Sequence, residues 1–291
     1  MLQPIVTSAQ IQAGLCALKL SNRPLCVHSS LRSFGRLEDS VKTVVEGILR
    51  EGCTMMAPTF TSHFDMLPPA GRRLERNGFD YNNEQPSTLI PRLYTPESTL
   101  INVGMGTLPR AVLAMPGPRR GRHPHDSFSA IGPLADELIR DQRPLRVYAP
   151  FDSLARLDGW IVLMGVGLTR MTLIHYAEQR AGRELFRRWS RDRYGEIIES
   201  QVGGCSDGFE RLRTALAPLE RAIEVGASRW RAYPAAESID LAAHTIPAQI
   251  LRSFTARIQT ASVVTMQCVV VRWRSVLRDC RNRQRSRLDV W

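Results

Sequence analysis

Apolar positions along this chain follow two rhythms. Ile11, Leu15 and Leu18 recur at three- and four-residue spacing, which predicts a helix over residues 5–20 with Ser8 as a candidate cap. Val41, Val44, Val45 and Ile48 repeat that spacing over residues 39–51, and Gly52 supplies a stop. Short apolar runs at residues 25–27, 54–57, 145–149 and 160–164 have the length and content of buried strands, and residues 196–202 read as another. Residues 61–100 break both rhythms. They are rich in Pro, Gly, Asn and charge, and form the most variable-looking region of the chain.

The most informative stretch is residues 158–183. The run 160–164 ends at Gly165 and Gly167, and Thr169 stands where it can cap a helix that starts just beyond. On that helix Thr172, His175 and Glu178 are spaced three apart and share roughly one face. A hydroxyl, an imidazole and a carboxylate at the mouth of a strand–loop–helix unit suggest a site in an α/β enzyme. The plainer alternative is a capped helix whose His and Glu face solvent.

Composition narrows the classes. With 291 residues and 43% hydrophobic content, the chain can bury one large core. No apolar run approaches the ~20 residues needed to span a bilayer; the longest, residues 261–271, is interrupted by Thr265 and Gln267. Gln3 and Pro4 stand where a signal peptide would carry basic residues. Six cysteines are scattered without pairing or metal-ligand spacing, so a reduced, cytoplasmic compartment is expected and a metal site is not. The net charge of +11 is uneven: residues 251–291 hold nine Arg and two Asp, a net +7. A basic tail can bind nucleic acid or anionic membrane, but this one lacks aromatic interleaving or a clear amphipathic period. A nucleic-acid-binding module therefore stands only as an alternative of another class.

Five short motifs surround the 158–183 stretch in a fixed order. They are Val27-His28-Ser29-Ser30; Met56-Ala57-Pro58-Thr59-Phe60; Arg122-His123-Pro124 with Ser127, Ala130 and Gly132; Asp152-Ser153-Leu154 with Leu157-Asp158-Gly159; and Gly203-Gly204-Cys205-Ser206 with Gly208-Phe209. Together with the Gly-Val-Gly turn and the His-Tyr-Ala-Glu helix, this order resembles the aminoglycoside 3-N-acetyltransferase family over roughly residues 5–250. Residues 105–109 resemble that family's helix before the coenzyme site, and residues 225–241 its C-terminal strand and helix. The likeness stops near residue 255, which divides the chain into an acetyltransferase domain at 1–255 and a basic tail at 256–291.

The resemblance implies a single α/β domain with a central mixed sheet flanked by helices. It is not the smaller acetyltransferase fold with an Arg-x-x-Gly-x-Gly/Ala loop, whose spacing Arg180-Ala181-Gly182-Arg183 lacks. It also implies acetyl-CoA as co-substrate, with Ser29, Ser30, Arg122, His123, Ser127 and Ser153 as coenzyme contacts, and a monomer or homodimer. Arg119, Arg120 and Arg122 form a guanidinium cluster suited to the coenzyme's phosphates. His123 is expected to be a wall or a coenzyme contact, not a second base. In the 61–100 region Asp65, Asp80 and Glu84 are candidates to hold a polyamine.

The implied reaction is acetylation of the 3-amino group of a 2-deoxystreptamine aminoglycoside by direct transfer. His175 would take the amine proton, Glu178 would orient the imidazole or hold a second substrate ammonium, and Thr172 would donate near the acetyl oxygen. Another amine, such as an amino sugar or biosynthetic intermediate, is the nearest alternative. Cys205 as a nucleophile is disfavoured, because no basic neighbour in sequence lowers its pKa.

Overall fold

The computed structural model describes residues 5–74, 77–78 and 92–258, without the side chains of 247–258. Asp80, Glu84 and most of the basic tail lie outside the described residues.

The chain begins with a two-residue strand, β1 (Ile5–Val6), and helix α1 (Ser8–Ala17). The cap is Thr7, one residue earlier than the sequence suggested: its hydroxyl accepts from the Gln10 N–H while the Gln10 side chain accepts from the Thr7 N–H. The reciprocal bond to Gln10 is what selects Thr7 over Ser8. Strand β2 (Pro24–Ser29), a short β3 (Arg36–Leu37), helix α2 (Ser40–Arg50) and strand β4 (Thr54–Pro58) follow. Helix α3 (Thr107–Ala114) leads to β5 (Arg119–Arg120), β6 (Phe128–Ile131) and the short α4 (Ala135–Ile139).

Residues 145–149, expected as a strand, are instead the approach to helix α5 (Ala149–Arg156). Pro150 at the helix start has its backbone angle preset for a helix and no N–H to give a ladder, so the apolar Val147 and Tyr148 are buried beneath α5 instead of in the sheet. Strand β7 (Trp160–Met164) and helix α6 (Leu173–Arg180) form the unit read from the sequence. Thr169 lies in a single 3-10 turn, Leu168–Arg170, and Thr172 takes the cap position. Then come the hairpin β8 (Phe186–Arg191) and β9 (Ile197–Val202), the short α7 (Arg213–Leu216), the hairpin β10 (Arg221–Val225) and β11 (Ser228–Pro234), and α8 (Ala235–Ile258).

Seven strands form the central sheet in the order β10-β11-β7-β2-β4-β6-β5. Its middle, β7-β2-β4, is parallel, while β11 and β6 run antiparallel on either side. The parallel strands are buried on both faces, which explains why they read as continuous apolar runs. Side chains alternate between two cores: Ile161 and Leu163 pack beneath α5, α6 and α8, while Val162 and Met164 pack with Ile11, Leu15, Val44 and Trp230 on the opposite face. The mixed α/β sheet flanked by helices is the architecture the sequence predicted.

Candidate active site

Strands β2 and β7 are parallel neighbours, and their register sets Ser29 opposite Met164. Both therefore end at the same edge of the sheet, where loops carry functional groups in open α/β folds. From Met164 the chain turns through Gly165, whose φ is +68° and whose Cβ position would lie 2.0 Å from Ser33 Oγ. Only glycine fits there. Glu210 then fixes the connection by accepting from the Leu168 N–H at 2.8 Å, and α6 begins.

Helix α6 aligns His175 and Glu178 as their spacing required. His175 Nδ1 lies 2.8 Å from Glu178 Oε2, with both side chains largely buried. A carboxylate only accepts, so Nδ1 carries the proton and Nε2 presents its lone pair. Nε2 has no protein partner among the described residues. The other carboxylate oxygen, Glu178 Oε1, accepts from Arg183 Nη1. Both Glu178 oxygens are thus engaged, which favours orientation of the imidazole over capture of a substrate ammonium. The His175 ring is held edge-on by Phe209 at 4.6 Å and lies nearly parallel to Tyr148, with centroids 6.4 Å apart. Thr172 is buried one turn earlier, and its hydroxyl makes no cap bond.

Tyr148, Asp126 and Gly203 complete the surroundings. Gly203 donates its N–H to Asp126 Oδ2 at 3.3 Å. A Cβ on Gly203 would lie 2.4 Å from the Tyr148 hydroxyl and 3.0 Å from His175 Cδ2, so all three groups converge on this glycine. The Tyr148 hydroxyl is buried without a hydrogen-bond partner. Burial, then the charges of Asp126 and Glu178, push it well above the usual phenol range, so it stays protonated.

The expected coenzyme contacts separate into two groups. Ser29 and Ser30 stand at the end of β2; Ser29 Oγ is buried and unpartnered, and the Ser30 N–H donates to Met164 O at 2.9 Å. Arg122 is exposed. By contrast, His123 is fully buried: Nδ1 accepts from the Asp126 N–H at 2.8 Å, and Nε2 lies 2.8 Å from Gln201 O. Both ring nitrogens are spent on backbone, so neither is free for a coenzyme atom. Ser127 Oγ accepts from Arg120 Nε at 2.9 Å and donates to Thr59 O at 3.1 Å. Ser153 is buried and accepts from Arg156 Nη2 at 3.3 Å.

The guanidinium cluster does not form. Arg120 is buried and donates to the carbonyls of Ser98, Thr59 and Leu100, because a buried cation must spend its donors internally. Arg119 pairs with Asp136 at 2.7 Å. Asp65 lies 3.0 Å from His125 Nε2 and is partly exposed, while His125 Nδ1 lies 2.6 Å from Ser200 Oγ. Arg183 and Tyr148 had no signal in the sequence pattern. Asp126 lies between the motif residues His123 and Ser127, and Gly203 and Phe209 bound the glycine-rich motif after β9.

An α/β protein with an oriented histidine–carboxylate pair at the end of its central parallel strands is the class this arrangement defines. The sequence profile described as "Aminoglycoside 3-N-acetyltransferase" matches residues 26–247, and the chain belongs to that family. Aminoglycoside N(3)-acetyltransferase IX of Micromonospora chalcea is 29% identical over 186 residues, covering 60% of this chain and 63% of that protein. Aminoglycoside N(3)-acetyltransferase VIII of Streptomyces fradiae is 31% identical over 188 residues, covering 60% and 62%. The matches thus span a little under two thirds of these curated relatives. Among solved structures, the aminoglycoside acetyltransferase AAC(3)-IVa apoenzyme superposes with a TM-score of 0.70 at 22% identity, over 85% of this chain and 91% of that one. AAC-IIIb in its binary complex with CoASH gives 0.68 at 21% identity, over 84% and 98%. These structures share the fold.

Proposed function

We propose that this protein is an acetyl-CoA-dependent N-acetyltransferase that modifies the 3-amino group of a 2-deoxystreptamine aminoglycoside. The observation that carries the reading is the His175–Glu178 pair, with Nδ1 tied to a carboxylate and Nε2 left open as an acceptor. The named activity of the curated relatives supports the reaction class, and the CoASH complex of AAC-IIIb supports the co-substrate. Acetyl-CoA fits the residues present: Ser29 Oγ is a buried hydroxyl lacking a partner, of the kind an amide or carbonyl of the coenzyme arm would satisfy, and Arg122 is an exposed cation for a phosphate.

Acetyl-CoA supplies an activated acyl group as its thioester. The chain's contribution is positioning and proton transfer. His175 Nε2 accepts the proton of the attacking amine, and Glu178 stabilises the imidazolium that results. Arg183 holds the second oxygen of Glu178, which fixes the ring plane through the carboxylate. Thr172, on the same helix face, donates its uncommitted hydroxyl towards the acetyl oxygen.

Thiol release from acetyl-CoA with a panel of gentamicin-, sisomicin- and apramycin-type amines tests this. The expected result is release by the wild-type protein and loss of at least ~100-fold in kcat for His175→Ala. Release that survives unchanged in His175→Ala would overturn the assignment of the base. Absence of release with every amine would overturn the function.

A further inference from the structure

Glu178 already accepts from His175 and Arg183 with its two oxygens, so it is the poorer partner for a second ammonium. Another carboxylate stands at the same place. Asp126 reaches the site from the loop before β6, and its side chain accepts a single hydrogen bond among the described residues, from the Gly203 N–H. It has no ion pair among them, although three cationic or titratable groups surround it. His125 is turned to Asp65 and Ser200; Arg188 donates to the carbonyls of Asn77 and Arg187; His175 is tied to Glu178.

A second observation points to the same spot. The Tyr148 hydroxyl is buried and unpartnered, and it meets the His175 ring at the glycine whose N–H holds Asp126. Buried hydroxyls almost always have a partner. A half-used carboxylate beside an orphaned hydroxyl, with a general base alongside, is short of one thing: a donor carrying positive charge.

We propose that Asp126, with the Tyr148 hydroxyl as an accepting neighbour, forms a cation subsite that takes a second protonated amine of the acceptor while His175 faces the amine being acetylated. The inference rests on the function proposed above and specifies its substrate class. Acceptors should carry a second protonated amine, and monoamines should be poor substrates. Burial pushes the Asp126 carboxyl above its usual range, and a bound ammonium would offset that cost.

The test compares wild type with Asp126→Asn and Tyr148→Phe, using sisomicin as polyamine and glucosamine as monoamine acceptor. Asp126→Asn should raise the KM for sisomicin at least ~10-fold, the scale of a lost charge-assisted hydrogen bond, with the KM for acetyl-CoA unchanged. Glucosamine has no second ammonium to seat, so its KM should rise by a smaller factor than that of sisomicin. Tyr148→Phe should raise the sisomicin KM by a smaller factor, about 3-fold, and it serves as the independent variant if Asp126→Asn fails to fold. An unchanged sisomicin KM in both variants would overturn the subsite, as would equal losses for both acceptors. If wild type releases no thiol, the function fails separately, and calorimetric titration of sisomicin without acetyl-CoA decides the subsite. Binding weakened in Asp126→Asn upholds it; unaltered or absent binding in wild type overturns it.

Discussion

Gly203 is the glycine packed against His175, and its replacement by alanine gives the most direct test of the packing around that ring. The added methyl would lie 2.4 Å from the Tyr148 hydroxyl, 3.0 Å from His175 Cδ2 and 3.1 Å from Cγ. Ordinary contacts of this type are 3.4–4 Å, so something must move by roughly half an ångström to one ångström. Tyr148 is buried on a rigid ring, and Phe209 packs edge-on against the imidazole with ring centroids 4.6 Å apart. Neither has an easy retreat. Overpacking of this kind costs about 1–3 kcal/mol, equivalent to a fall in Tm of about 2–10 °C for a domain of this size.

Displacing a base by about 1 Å costs on the order of 100-fold in rate. The expected outcome for Gly203→Ala is therefore a kcat reduced ~10–100-fold in the thiol-release assay, with acetyl-CoA KM little changed. Gly208→Ala is the control, since no atom lies within 4 Å of its Cβ position and its φ is −81°. A Gly203→Ala protein with wild-type kcat would refute the claim that this glycine sets the position of His175, even if its Tm fell.

Three further outcomes follow from the same geometry. Glu178→Gln should lower kcat by about 100-fold with acetyl-CoA KM intact, whereas Arg183→Gln should cost only ~3–10-fold because its half-exposed guanidinium is screened; steady-state kinetics with both variants checks the order. Burial holds His28 and His123 neutral, each lowered from 6.5 to about 3. The unfolded chain therefore binds more protons between those values, and stability is lost as pH falls through that window. Each imidazole withdraws at most about 2 kcal/mol at pH 5. Tm should drop between pH 6.5 and pH 4, and the drop should be shallower in His28→Gln. Asp126 behaves oppositely: its raised carboxyl pKa favours the native state only while protonated, so stability is lost as pH rises from about 3.8 through its native value. Asp126→Asn should accordingly raise Tm at pH 7, with the gain vanishing at pH 3.5 in a thermal melt.

What the sequence made legible was local. The spacing of Thr172, His175 and Glu178 fixes their shared face because a helix has only one way to place residues three apart, and the His175–Glu178 bond follows directly. Continuous apolar runs betrayed β4 and β7 because parallel strands are buried on both sides. The errors arose where a local signal was overridden from a distance. Three arginines in four positions looked like one electropositive cluster, yet Arg120 points inward to carbonyls 20 and more residues away, while Arg119 turns to Asp136. Residues 145–149 look apolar enough for a strand, but one proline turns them into a helix entrance and so delivers Tyr148 to His175. That contact joins two residues 27 positions apart through a glycine further along the chain, and no periodicity encodes it. The His175–Glu178 pair is therefore written within one helix turn, while the subsite proposed for a second amine is assembled from Asp126, Tyr148 and Gly203, on three separate loops. A family can keep the first and vary the second, so substitutions at Asp126 should change which amine is accepted before they change whether acetyl transfer occurs.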